Sequence, residues 1–72
     1  MAEQRIQRWE YRVLRAYSDG SIFLDDQKID RRDGVTALLN QLGDEGWELV
    51  GQSEAVGPAG GDISYTFRRP KR

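Results

Sequence analysis

Only one stretch of this chain repeats its apolar residues at helical spacing: Val35, Leu38, Leu39 and Leu42 stand at i, i+3, i+4 and i+7. Nearly everything on either side alternates with period two, the mark of strands with one face buried. One helix can cover one face of a small sheet and no more, so the pattern restricts the chain to an α+β domain with a half-covered sheet. Asp30 and Asp33 offer capping oxygens and negative charge where the first helical amides are unpaired. Gly46 supplies the left-handed residue that ends a helix. The spacing therefore predicts a helix over roughly residues 31–45.

Before the helix, residues 9–17 (Trp-Glu-Tyr-Arg-Val-Leu-Arg-Ala-Tyr) read as a first strand, with Trp9, Tyr11 and Val13 on one face and Glu10, Arg12 and Leu14 on the other. Ser18-Asp19-Gly20-Ser21 has the composition of a hairpin turn, and Ile22-Phe23-Leu24 returns as a second strand. Asp25-Asp26-Gln27-Lys28 turns the chain again, with Ile29 as a brief strand contact. After the helix, Trp47 to Glu54 forms a third strand, with Trp47 and Leu49 inward and Glu48, Val50, Gln52 and Glu54 outward. A flexible glycine-rich turn over residues 55–61 leads to the last strand, whose buried face holds Ile63, Tyr65 and Phe67, and Pro70 ends its pairing. The expected order is ββαββ, an antiparallel sheet of three to four strands in a single domain over residues 1–72, with residues 1–7 and 70–72 as flexible ends.

Chemistry is limited by what the chain lacks. With no Cys and no His among 72 residues, disulfides, the usual zinc and haem sites, thiol nucleophiles and imidazole acid–base catalysis are excluded. Glu45 and Glu48 form a carboxylate pair, but no neighbour in sequence would split their acidities, and helix stop and strand start account for the motif. Asp25, Asp26, Asp30 and Asp33 lack the spacing of a calcium loop and suit turns and caps. Gly57-Pro58-Ala59-Gly60-Gly61 leads into a strand, whereas a phosphate loop leads into a helix. The reading is a non-catalytic protein with no cofactor and no metal.

Residues 38–50, Leu-Leu-Asn-Gln-Leu-Gly-Asp-Glu-Gly-Trp-Glu-Leu-Val, resemble the small bacterial domain of unknown function 4177 family. Trp9-Glu10-Tyr11-Arg12-Val13-Leu14 is similar to its opening strand and Tyr65-Thr66-Phe67-Arg68-Arg69-Pro70 to its closing one, while residues 18–30 depart from it. The resemblance implies a bacterial protein and the fold just described, and it implies no activity or site.

Function must then lie in contacts. A 72-residue chain removes only about 60% of its unfolded surface from water, and with disulfides and metals excluded, association is the stabiliser that remains. The face away from the helix is expected to hold Leu14 and Val50 as an apolar centre, with Arg12, Glu48 and Arg68 as the polar rim of an interface between copies, a dimer being favoured, and the polar sheet face or an exposed edge would also serve a partner protein. An apolar cleft lined by Trp9, Trp47 and Tyr65 is a further possibility in such a dimer. Charge gives the alternative. The net charge of −1 separates into +2 over residues 1–18, −7 over 19–62 and +4 over 63–72. Basic ends meeting in space, with Arg68, Arg69, Lys71 and Arg72 beside aromatic rings, would suit single-stranded nucleic acid, against which an isoelectric point near 5.3 argues. The N-terminus has no apolar leader and no segment reaches the length of a membrane span, so a cytoplasmic protein is expected.

Overall fold

A computed structural model describes residues 6–30, 34–58 and 60–72. Five strands and one helix follow in the order β1 (Trp9–Tyr17), β2 (Ile22–Leu24), β3 (Gln27–Ile29), α1 (Gly34–Asp44), β4 (Glu48–Gly57) and β5 (Gly60–Pro70). The strands form one antiparallel sheet in the order β3-β2-β1-β5-β4. The α+β class and the strand–helix–strand layout match the sequence pattern, but the strand count is five. The extra strand arises at Asp25 and Asp26, which both take left-handed backbone angles (φ 51° and 66°) and close a two-residue turn. Such a turn matches the twist of its strands, so residues 27–29 pair fully with residues 22–24.

The turn between β1 and β2 closes through Gly20 N–H to the Tyr17 carbonyl (3.0 Å) and Tyr17 N–H to the Ser21 carbonyl (2.9 Å), with Gly20 at φ +91°. The Asp19 carboxylate accepts from both the Ser21 hydroxyl (2.6 Å) and the Ser21 amide (2.9 Å), which holds its pKa below the usual carboxylate value.

The helix begins at Gly34, and the expected cap at Asp33, like residues 31 and 32, lies outside the described residues. Its other end follows the sequence closely. Gly46, at φ +90°, donates to the Gly43 carbonyl (3.0 Å), and Trp47 N–H donates to the Leu42 carbonyl (3.0 Å). These two bonds satisfy carbonyls that the last turn would leave unpaired, and they turn the chain straight into β4.

Leu38 and Leu42 lower the helix stripe onto Leu14, Ile22 and Phe67, and these five are the buried hydrophobic side chains among the described residues. Leu24, Ile29, Val35, Leu39, Trp47 and Tyr65 pack around them half-buried. Fully burying a side chain of this kind contributes about 1.5–3 kcal/mol, so the core is modest. Strands β4 and β5 run farther toward their shared turn than the sequence pattern implies, pairing through Gly57 and Gly60 across what reads as a loop. Glycine at 61 makes this approach possible, because a Cβ there would stand 2.4 Å from the Ala55 carbonyl oxygen. Ala59, at the turn, lies outside the described residues. Among the described residues no helix is long and apolar enough to cross a membrane.

Candidate interaction surface

Register decides which side chains the helix covers. Leu14 pairs with Leu24 on one side and Tyr65 on the other, Ala16 with Ile22 and Ile63, and Arg12 with Phe67. Directly paired residues share a face, so the even-numbered residues of β1 lie under the helix and the odd-numbered ones lie on the uncovered face. This corrects the expected arrangement of β1. Leu14 is completely enclosed, so it belongs to the core and cannot form the centre of an interface. Trp9 and Tyr11, expected inward, are exposed on the uncovered face.

Arg12 is also on the helix side. Its Nε donates to Asp25 Oδ2 (2.9 Å), and its guanidinium lies 5.7 Å from the centre of the Trp47 ring. Asp25 Oδ1 accepts from the Val13 amide (3.0 Å), so this carboxylate holds the β2–β3 turn against β1. Arg69 lies 4.3 Å from the Trp47 ring centre, bonds Glu10 Oε1 through Nε (2.5 Å) and donates to the Glu45 carbonyl (2.7 Å). Trp47 is thus held by two guanidinium groups at the helix-to-sheet seam, and Arg69 is engaged within the fold. The proposed cleft of Trp9, Trp47 and Tyr65 does not form within one copy, since Trp9 lies on the opposite face from the other two.

The uncovered face does include Glu48 and Arg68 of the expected rim. Arg68 pairs in register with Tyr11 and Glu48, and its guanidinium stacks 4.2 Å from the Trp9 ring centre. Arg68 Nε is 3.7 Å from Glu48 Oε2, an ion pair too long for a hydrogen bond, and this nitrogen is shielded from solvent with no hydrogen-bond partner. Tyr17 and Phe23 meet edge to face on the same side at 5.3 Å, beyond Val13 and Arg15. The uncovered face therefore presents Trp, Tyr and Arg together, the residue types that carry most binding energy in protein interfaces.

Val50 is half-exposed and sits at a bulge between Leu49 and Gly51. The extra residue reverses the alternation that follows it: Gln52 pairs with Tyr65 and Glu54 with Ile63, so both share the helix side with Leu49, contrary to the simple alternation read from sequence. Ser53, paired with Ser64, lies on the uncovered face. Strand β4 is also an edge of the sheet, and from Glu48 to Gly57 every residue except the half-buried Gly51 is exposed.

The described residues near the two ends, Arg8 and Trp9 with Pro70 and Lys71, meet. Lys71 N–H donates to the Arg8 carbonyl (2.8 Å), and Trp9 pairs with Pro70, so Arg8, Lys71 and Arg72 form one exposed basic end next to Arg68. Of the ends expected to be flexible, residues 1–5 lie outside the described residues, whereas Pro70 ends β5 in register. Among the described residues no three acidic side chains gather in a metal-holding group, Asp25, Asp26 and Asp30 included.

These features define the class: a small α+β domain whose antiparallel sheet is covered on one face, with an aromatic and arginine-bearing second face and one long bare edge. Comparison with family models, curated proteins and solved structures finds no match to the chain.

Proposed function

We propose that the chain is a non-catalytic, self-associating protein-interaction module. The observation that supports this reading is the incompleteness of the sheet. One eleven-residue helix serves a five-stranded sheet, which leaves Trp9, Tyr11 and Tyr17 exposed on its other face and Leu49, Val50 and Val56 exposed on β4. A core of this size gains from a second copy, and the edge and the aromatic face supply contact area for one. The bacterial family that the Glu45–Val50 junction resembles is part of the proposal, with a cytoplasmic setting, and it brings no activity with it.

The test is native mass spectrometry of the untagged protein, with ultraviolet absorbance read on the same sample. The expected result is a clean multiple of 8.3 kDa without nucleic-acid absorbance. Val50→Glu is expected to lower the mass to that of one chain while leaving the helical circular dichroism in place. A wild-type protein of one chain's mass overturns the reading.

The second reading, a module for single-stranded nucleic acid, is favoured by the meeting of the basic ends beside the Trp9–Arg68 stack. It assigns phosphate contacts to Arg68, Lys71 and Arg72, with Arg69 already held by Glu10 and the Glu45 carbonyl. It requires binding to a single-stranded oligonucleotide that weakens with salt and falls when Arg68, Lys71 and Arg72 are replaced; absence of binding at low salt ends it.

A further inference from the structure

The two edges of the sheet are unlike. Strand β3 has three residues, Gln27–Ile29, with Lys28 at its centre and Asp30 after it, and short charged edges resist further pairing. Strand β4 has ten residues, no basic side chain and no proline, and it contributes three of the large hydrophobic side chains exposed among the described residues: Leu49 at 48%, Val50 at 45% and Val56 at 88%. Its outer row of backbone N–H and C=O groups has no strand beside it. The bulge interrupts this row only near its start, leaving Gly51–Gly57 in regular register with β5.

We propose that β4 is the seam of a two-fold dimer in which Gly51–Ala55 of two copies pair antiparallel, Ser53 opposite Ser53, to give one continuous sheet. This rests on the self-association reading above and names its surface.

The occupant is a second copy because β4 complements itself. A two-fold axis perpendicular to a continuous sheet must place one residue opposite its own mate, since direct partners share a face. Centring on Glu54 would align the whole regular stretch but oppose two carboxylates. Centring on Gln52 would overlap only three regular residues. Centring on Ser53 overlaps five and sets each Glu54 against a Gln52 amide that can donate to it, with the exposed Val50 and Val56 flanking the paired stretch. Pairing β4 of one copy with β3 of the next would match a ten-residue strand to a three-residue one and leave open ends that propagate, whereas the two-fold arrangement closes.

The absence of cysteine makes the test direct. Single cysteines are placed in turn at 51, 52, 53, 54 and 55, and disulfide-linked dimer is followed in a dilute glutathione buffer, with circular dichroism confirming the fold. Residues directly opposite lie about 4.5–5.5 Å apart at Cα, within disulfide reach. At 52 or 54 the two copies of the cysteine are displaced by two residues along the strand, about 8 Å apart, which is beyond it. Ser53→Cys is expected to cross-link at least about tenfold faster than its neighbours. Hydrogen exchange of the wild-type protein provides a check free of substitution: amides within residues 51–55 are expected to slow as concentration rises, and those of β3 are not. A dimer that cross-links best at another position, or at none of the five, or whose 51–55 amides do not respond to concentration, overturns the seam and leaves self-association standing. A protein of one chain's mass overturns both.

Discussion

Leu14 is wholly enclosed between Leu24 and Tyr65 in the sheet, beneath Leu38 and Leu42 of the helix, while Tyr11, three residues earlier on the same strand, is 59% exposed. Truncating the two should therefore have very different costs. Leu14→Ala is expected to lower unfolding stability by about 2–5 kcal/mol, through lost burial and the cavity left behind. Tyr11→Ala should cost under about 1 kcal/mol. Urea unfolding of both variants decides it, and equal losses would contradict the arrangement of β1. Sequence makes this strand hard to orient, because it has large apolar side chains on both faces. Period two reveals the alternation but not its sign, and the bulk of Trp9 and Tyr11 favours the wrong face. The sign is set at a distance, by the turn that brings Leu14 opposite Leu24 and Ala16 opposite Ile22. By contrast, the inward set of β5, Ile63, Tyr65 and Phe67, is legible because Ser64, Thr66 and Arg68 separate its members cleanly.

At the scale of elements, the Asp25–Asp26 turn sets two adjacent aspartates in the same strained backbone region for different reasons. Asp25 bonds the Val13 amide and Arg12 through its carboxylate, and its own N–H donates to the Val13 carbonyl (2.9 Å). Asp26, at φ 66°, is exposed. Left-handed geometry costs an ordinary residue about 1–2 kcal/mol, somewhat less for Asp, and glycine avoids that cost. Asp26→Gly, which gives the pair its preferred hairpin composition, is expected to raise stability by about 0.5–1 kcal/mol. Asp25→Gly should lower it, because the bonds from Arg12 and from the Val13 amide both depend on that carboxylate. Thermal melts of the two variants shifting in the same direction would contradict this account. The helix end was legible in Glu45-Gly46-Trp47 because a left-handed glycine followed by a large apolar residue satisfies both the last carbonyls and the seam. The bulge at Val50 was not, since Leu49-Val50-Gly51 reads as plain alternation and a bulge is specified by the partner strand. That one residue moves Gln52 and Glu54 to the helix side, and with them the polar pair on which self-complementarity at β4 depends.

At the scale of the whole molecule, the pairing of the two basic ends follows from topology that periodicity does not encode: β1 and β5 are neighbours in the centre of the sheet and antiparallel, so the start of one lies beside the end of the other. The same arrangement puts β4 at the rim, and the two proposed functions then differ in what drives them. Nucleic-acid binding would depend on phosphate contacts and weaken steeply with salt. Sheet extension depends on backbone hydrogen bonds and on Val50 and Val56, and depends little on ionic strength. For a dimer that dissociates as it unfolds, mass action ties stability to concentration, by about 1.4 kcal/mol of dimer for each tenfold change. The melting temperature is therefore expected to rise steadily over about a hundredfold range of protein concentration, and to do so alike in low and moderate salt. Val50→Glu should flatten this dependence, because it sets a carboxylate at the margin of the seam, where pairing would withdraw it from water. A wild-type midpoint that does not move with concentration would mean that the half-covered sheet is stable alone in that range, and the exposed Trp9, Tyr11 and Val56 would then await a partner other than this chain.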